Sequence, residues 1–172
     1  MKVDGKEMIV PQTIRLQING LGMIMYSPKS VTHISPGENY FKSNFGSGDQ
    51  AMEHLKKGSI LGLNTGTGDF NINVFWHPPP AKIAPDDIVL AFAIIVDGGA
   101  IIFRDLEDLT EWEPMPPPNQ TVMANDGIYH LTLWTRTPHS GIIGDNQDID
   151  VFIKPIDKFP SRFGYTGVPS IF

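Results

Sequence analysis

Asn125-Asp126-Gly127-Ile128-Tyr129-His130-Leu131-Thr132-Leu133-Trp134 opens on a turn and runs on as a period-2 strand. Asn, Asp and Gly tolerate positive φ or hydrogen-bond their own backbone, so the first three residues mark a reversal. Beyond them Tyr129, Leu131 and Leu133 share one face, and His130, Thr132 and Trp134 share the other. That alternation belongs to a strand buried on at least one side. The stretch decides for a β fold and holds no catalytic motif.

Similar patterns lie on either side. Thr13 to Asn19 places Ile14, Leu16 and Ile18 inward and Arg15 and Gln17 outward. Gly20 and Gly22 then lead to Met23-Ile24-Met25-Tyr26 as a return strand. Ser59 to Leu63 runs into Asn64-Thr65-Gly66-Thr67-Gly68-Asp69, a turn read as a hairpin. Phe70, Ile72, Val74 and Trp76 follow in alternation with Asn71 and Asn73. Pro78-Pro79-Pro80 ends that strand, since proline donates no ladder hydrogen bond. Ile88 to Val96 is a continuous apolar run, too short and too β-branched for a helix. Asp97-Gly98-Gly99 predicts a hairpin into Ala100-Ile101-Ile102-Phe103. Gln120 to Ala124 leads into the opening stretch, and Ile149 to Ile153 supplies a last strand.

Ser27 to Ser47, with its prolines and glycines, reads as loop. A helix follows. Ser47 is its N-cap with Gln50 three residues on, Lys56 and Lys57 sit late, and Gly58 stops it. Ala51, Met52 and Leu55 form its apolar stripe. The chain is therefore expected to be all-β, a β-sandwich of about nine short strands with one short helix, because a sheet with one apolar face needs a second layer. One domain is expected over 1–172, with a Pro/Gly/Phe-rich tail at 156–172. Asn125-x-Gly127-x-Tyr129 also has the outline of a tyrosine corner.

Composition narrows the function. The 172 residues include no cysteine, which removes disulfides, thiolate catalysis and cysteine zinc sites together. With 13 basic and 19 acidic residues the net charge is −6, which disfavours nucleic acid; the same sign either attracts a basic protein or simply keeps the chain soluble. No apolar run approaches the roughly 20 residues that span a bilayer. Met-Lys-Val-Asp-Gly-Lys-Glu has no apolar core of a signal peptide, so a cytoplasmic location is the expectation.

Candidate chemistry is sparse. Asp145-Asn146-Gln147-Asp148-Ile149-Asp150 resembles a calcium loop loosely, but its ligand alternation and glycine fail. Asn64 to Asp69 lacks the lysine and the following helix of a phosphate loop. His33, His54, His77, His130 and His139 fall into no ligand spacing. No cofactor and no metal are expected. A hydrolase or carbohydrate-active domain using His130 or His139 is the runner-up, and an assembly module joined through sheet edges the third reading.

Two features read as recognition surface. Asp105, Glu107, Asp108, Glu111 and Glu113 crowd around Trp112, an acidic cluster with an aromatic anchor for a basic partner. The alternative is a solvated segment with Trp112 folded into the core. Ser140-Gly141-Ile142-Ile143-Gly144 puts Ile142 and Ile143 at a loop tip, where they either contact a partner or staple the loop.

The order of elements resembles the competence protein J family. An acid-bearing helix, Asp49 to Glu53, leads to a strand at Gly58-Ser59-Ile60; a strand-turn-strand unit, Phe92 to Ile101, follows. Then Gly127-Ile128-Tyr129-His130-Leu131-Thr132-Leu133-Trp134-Thr135 is similar to that family's G-x-Y-x-L-x-x-W-T. The resemblance covers residues 38 to 136, and the Pro-rich segments, the 137–148 loop and the tail depart from it. It implies a small cytosolic protein that binds and restrains a toxic hydrolase, such as a basic nuclease or another toxin, as an inhibitor or immunity protein does.

Overall fold

The structure, a computed structural model of the chain, describes residues 2–3, 6–7, 11–162, 165 and 168–172. Positions 163–164 and 166–167 of the expected tail lie outside the described residues, as do parts of the first ten positions. In chain order the elements are β1 (Lys2–Val3), β2 (Lys6–Glu7), β3 (Gln12–Ile18), β4 (Gly22–Tyr26), α1 (Tyr40–Asn44), α2 (Gly48–Lys57), β5 (Ile60–Asn64), β6 (Gly68–Phe75), β7 (Asp87–Val96), β8 (Ala100–Asp105), β9 (Thr121–Met123), β10 (Gly127–Arg136) and β11 (Gln147–Ile156). Short 3-10 turns occupy Pro28–Val31 and Leu106–Thr110.

The fold is all-β. A five-stranded sheet runs β3-β6-β11-β10-β7 and a four-stranded sheet runs β5-β4-β8-β9, with β1 and β2 as a separate pair. β6 and β11 are parallel; their other neighbours are antiparallel. Ile14, Ile72, Leu131 and Val151 on one inner face meet Met23, Leu61 and Phe103 on the other. Each such side chain contributes roughly 1.5–3 kcal/mol by leaving water. The opening stretch forms β10, an inner strand of the five-stranded sheet, with Tyr129, Leu131 and Leu133 all buried.

The four-stranded sheet is covered on its outer face as well. Ile24, Tyr26, Ile60 and Ile102 pack there with residues of the two helices and with Leu106, Leu109 and Trp112. β4 and β8 therefore have no solvent-facing positions, and their sequences show no alternation: β4 is apolar throughout and β8 is apolar up to the buried Arg104 and Asp105. The helix read at Ser47 to Gly58 forms as α2: the Ser47 side chain accepts the Gln50 N–H, and Gly58, at φ 62°, closes it in the left-handed region. Segment 27–47, read as loop, contains a second helix, α1, capped by Asn39, whose side chain accepts the Lys42 N–H at 2.9 Å. Five residues are too few to show a helical period.

The turns correct the sequence reading. The reversals at Gly20–Gly22, Asn64–Asp69 and Asp97–Gly99 are not hairpins; each carries the chain from one sheet to the other. The turn at Asn125–Gly127 does the same between β9 and β10. A turn motif fixes a reversal, and burial then chooses the pairing. The apolar strands β4 and β8 enter the covered sheet and alternating β3 and β6 the sheet that faces water, while the apolar run of β7 takes the edge of that second sheet. Asp126 joins two of these arches, its carboxylate accepting the Gly98 and Gly99 N–H groups at 2.9 and 2.8 Å. The tyrosine corner forms: Tyr129 Oη donates to the Asn125 carbonyl at 2.6 Å. Among the described residues no helix is long and apolar enough to cross a membrane.

Candidate functional site at one end of the sandwich

The acidic segment is organised from beneath by Arg104, only 3% exposed. Arg104 Nε donates to Asp108 at 2.8 Å, and Nη1 donates to the Glu113 carbonyl at 2.8 Å. Its guanidinium lies 4.6 Å from the Trp112 ring centroid. Trp112 is 2% exposed and packs edge-on against Tyr26 at 5.8 Å. Backbone bonds from Trp112 N–H to the Glu38 carbonyl and from Gly37 N–H to the Trp112 carbonyl hold it in place. The expectation of Trp112 as a surface anchor is thus corrected: its indole closes the outer core. Asp105 is buried too. Its carboxylate accepts the Glu107 N–H, capping the 3-10 turn, and the Asn19 N–H at 2.7 Å. Glu107, Glu111 and Glu113 are exposed, and Asp108 is half-buried.

The 137–148 loop is fixed at its base. Gln147 is buried; its side chain accepts the Gly144 N–H and donates to Thr135 Oγ1, both at 2.9 Å. Gly144 meets Gly68 so closely that a Cβ on either would fall within 3 Å of the other's backbone. Asp69 N–H donates to the Gly144 carbonyl at 2.7 Å. Ile143 is half-buried against the main core, so it staples the loop, while Ile142 is 64% exposed.

A chain of short contacts brings these two features to the same end. The β5–β6 arch holds the 137–148 loop through Gly68. It also binds the β3–β4 arch: Thr65 and Gly66 N–H groups donate to the Leu21 carbonyl, and Thr67 Oγ1 donates to the Gly20 carbonyl. The β3–β4 arch binds the acidic segment through Asn19 and Asp105. Leu21 emerges between them at 65% exposure, and Phe172, beside Gly66, at 67%. Sequence reading missed both, for Leu21 is one leucine between two glycines and Phe172 sits in a tail without periodicity. Glu111 and Glu113 lie on a segment tied to residues 37–38 and Arg104 instead.

The histidines are dispersed. His130 is on the outer face of the five-stranded sheet, and burial, then Lys154, lowers its pKa. It borders Tyr165 and Arg162, whereas His139 lines a separate groove of about 1020 Å³ beside Trp134 and Phe152. Ser140 Oγ, next to His139, accepts the Ile142 N–H. Tyr165 Oη bonds both the N–H and the carbonyl of Ala91, capping part of the β7 edge that an assembly module would use. Among the described residues, no three His, Asp or Glu side chains are grouped to hold a metal ion.

These features define a two-sheet β protein with an apolar, acid-flanked end. No protein-family model and no curated protein matches the chain. Two solved structures are similar to it. One is described as crocagin biosynthetic gene J, with a TM-score of 0.51, 8% identity, and coverage of 84% of this chain and 98% of that one. That likeness concerns the fold. The other is ComJ from Bacillus subtilis, described as inhibitor of the DNA degrading activity of NucA, with a TM-score of 0.46, 12% identity, and coverage of 87% and 100%. It represents the family whose motifs the sequence resembles.

Proposed function

We propose that this chain is a non-catalytic protein-binding domain of the cytoplasm that restrains a basic hydrolase, such as a nuclease or another toxin. The observation that supports it is the sandwich end, where Leu21, Ile142 and Phe172 stand exposed on linked segments and Glu107 packs beside Gly20. Three large apolar side chains, on an arch, a loop and the tail, are what a partner can desolvate, and the carboxylates near them select a basic one. The hydrolase class comes from the family that the sequence resembles. Ile142, Leu21 and Phe172 take the anchoring role; Glu107 and Asp108, with Glu111 and Glu113 further off, supply charge. Ile143, Asp105 and Trp112 act through the fold, by holding the loop and the acidic segment in place.

Affinity purification from the native host, followed by an activity assay on the captured enzyme, tests this reading. A hydrolase that is inhibited by the wild-type chain and released by Leu21→Glu or Ile142→Asp is the expected result. Capture that is unchanged in both variants, with circular dichroism showing intact sheets, would overturn the site.

A further inference from the structure

The groove beside the 137–148 loop has chemistry of its own. Its floor is the outer face of β10 and β11, where Trp134 stands directly across from Asp150 in the pairing register. Phe152 lies next to Trp134, 6.3 Å away and edge-on, and stacks on Phe75 at 5.0 Å. Asp148 and Asp150, two apart on β11, point to the same face as Asn73 of β6. Thr13 Oγ1 donates to Asn73 Oδ1 at 2.8 Å, which turns the Asn73 amide nitrogen toward both carboxylates, at 3.4 and 3.0 Å.

One amide cannot balance two carboxylates. Arg136 and Lys82 also line the groove; Arg136 is already taken by Asp87, and no ion pair reaches Asp148 or Asp150 among the described residues. Burial pushes the Asp150 carboxyl above the usual carboxylate range, with Asp148 adding to it against the Asn73 bond. Such a pair gains from a cation that brings several donors at once. An indole beside it favours a planar, weakly hydrated cation over a compact ammonium.

We propose that this groove receives an arginine side chain of the partner protein, with the guanidinium against the Trp134 indole and its N–H groups donating to Asp148 and Asp150. The proposal rests on the protein-binding reading above and names the residue that a basic partner inserts. It gives the outer sheet face a part in recognition beside the sandwich end, with the 137–148 loop bordering both.

The test is a two-dimensional NMR titration of the full chain with amidated triarginine, trilysine and tricitrulline peptides. Citrulline keeps the shape and removes the charge. Triarginine should shift the Trp134 indole N–H and the backbone amides of 148–152, leaving the indoles of Trp76 and Trp112 in place. Trilysine should bind several-fold more weakly, and tricitrulline not at all. The Asp148→Asn/Asp150→Asn double variant should weaken triarginine binding by about tenfold or more, with its thermal midpoint unchanged or raised because a repelling pair has been removed. Equal shifts with tricitrulline, equal affinity in the double variant, or no shift at millimolar triarginine would each overturn the proposal. A groove that takes arginine in a chain that restrains no hydrolase would sink the function above and leave the groove. A restrained hydrolase with a groove indifferent to arginine would do the reverse.

Discussion

The Arg104 guanidinium lies 4.6 Å from the centre of the Trp112 ring, with both side chains almost fully enclosed. The pair turns a segment that reads as a charged surface run into the lid of a second core. Arg104 also reaches Asp108, the Glu113 carbonyl and Tyr26 Oη. Removing it strands several polar groups at once, whereas removing Asp108 affects one contact of a partly exposed carboxylate. We expect Arg104→Ala to cost about 3 kcal/mol and Asp108→Asn about 1 kcal/mol or less. Urea denaturation of the two variants checks this. Equal costs would show that Arg104 is not the centre of the segment.

The tyrosine corner should matter in the same way on the other side of the core. Tyr129→Phe keeps the buried ring and loses the 2.6 Å bond to the Asn125 carbonyl. A loss of about 1 kcal/mol is expected. The slope of unfolding against urea should stay constant, because the surface exposed on unfolding does not change. A variant as stable as wild type would mean that the hydroxyl merely decorates the turn.

His54 gives the fold a pH dependence. Its ring stacks on Phe45 at 4.8 Å, with Ser59 and Asn44 at its nitrogens. Burial lowers its pKa, the Lys57 and His33 charges lower it further, and Glu53 opposes them. The folded state therefore holds the neutral ring, and the unfolded chain takes up the proton first as pH falls. Stability from this site is full above the ordinary imidazole range. It is lost as pH falls through that range toward the lowered folded value. His130 has the same sign. Urea midpoints should drop between about pH 7.5 and about pH 5.5, and the drop should shrink in His54→Gln. An identical drop in that variant would assign the effect elsewhere.

Much of the fold was legible because it rests on local period. β3, β6, β10 and α2 follow from alternation, a helical stripe and caps, all written within a few residues. The sheet partners were not legible. Asp97-Gly98-Gly99 makes a tight reversal whether the next strand pairs or crosses, and covering by α1, α2 and Trp112 decides which happens. Trp112 was ambiguous for the same reason: one aromatic among carboxylates does not show which way it turns. The candidate site was half legible. Glu107 and Ile142 stood out by composition, but Leu21 and Phe172 join them only through contacts between distant arches. Asp148 and Asp150 stood in the sequence only as part of a failed calcium-loop pattern. Their shared face with Asn73 depends on the parallel register of β6 and β11, which no local pattern encodes.

Association with the partner should separate charge from contact. Glu107, Glu111 and Glu113 are exposed, so each adds little to final affinity, while together they raise the encounter rate and make it salt-sensitive. In the proposed complex Leu21 and Ile142 would be the groups that leave water, so they should govern how long it lasts. Replacing the three glutamates by glutamine should slow association at low salt and flatten its salt dependence, with dissociation nearly unchanged. Leu21→Ala and Ile142→Ala should speed dissociation, with association nearly unchanged. Trp112→Ala should behave differently from all of them. Its indole is interior, so it should cost about 3–5 kcal/mol of stability and reduce binding through the folded fraction rather than through the interface. Stopped-flow binding at two ionic strengths, with the captured partner, reads each of these separately. If the glutamine variant associates as fast as wild type at low salt, the acidic segment is a solvated lid over Arg104 and plays no part in recognition.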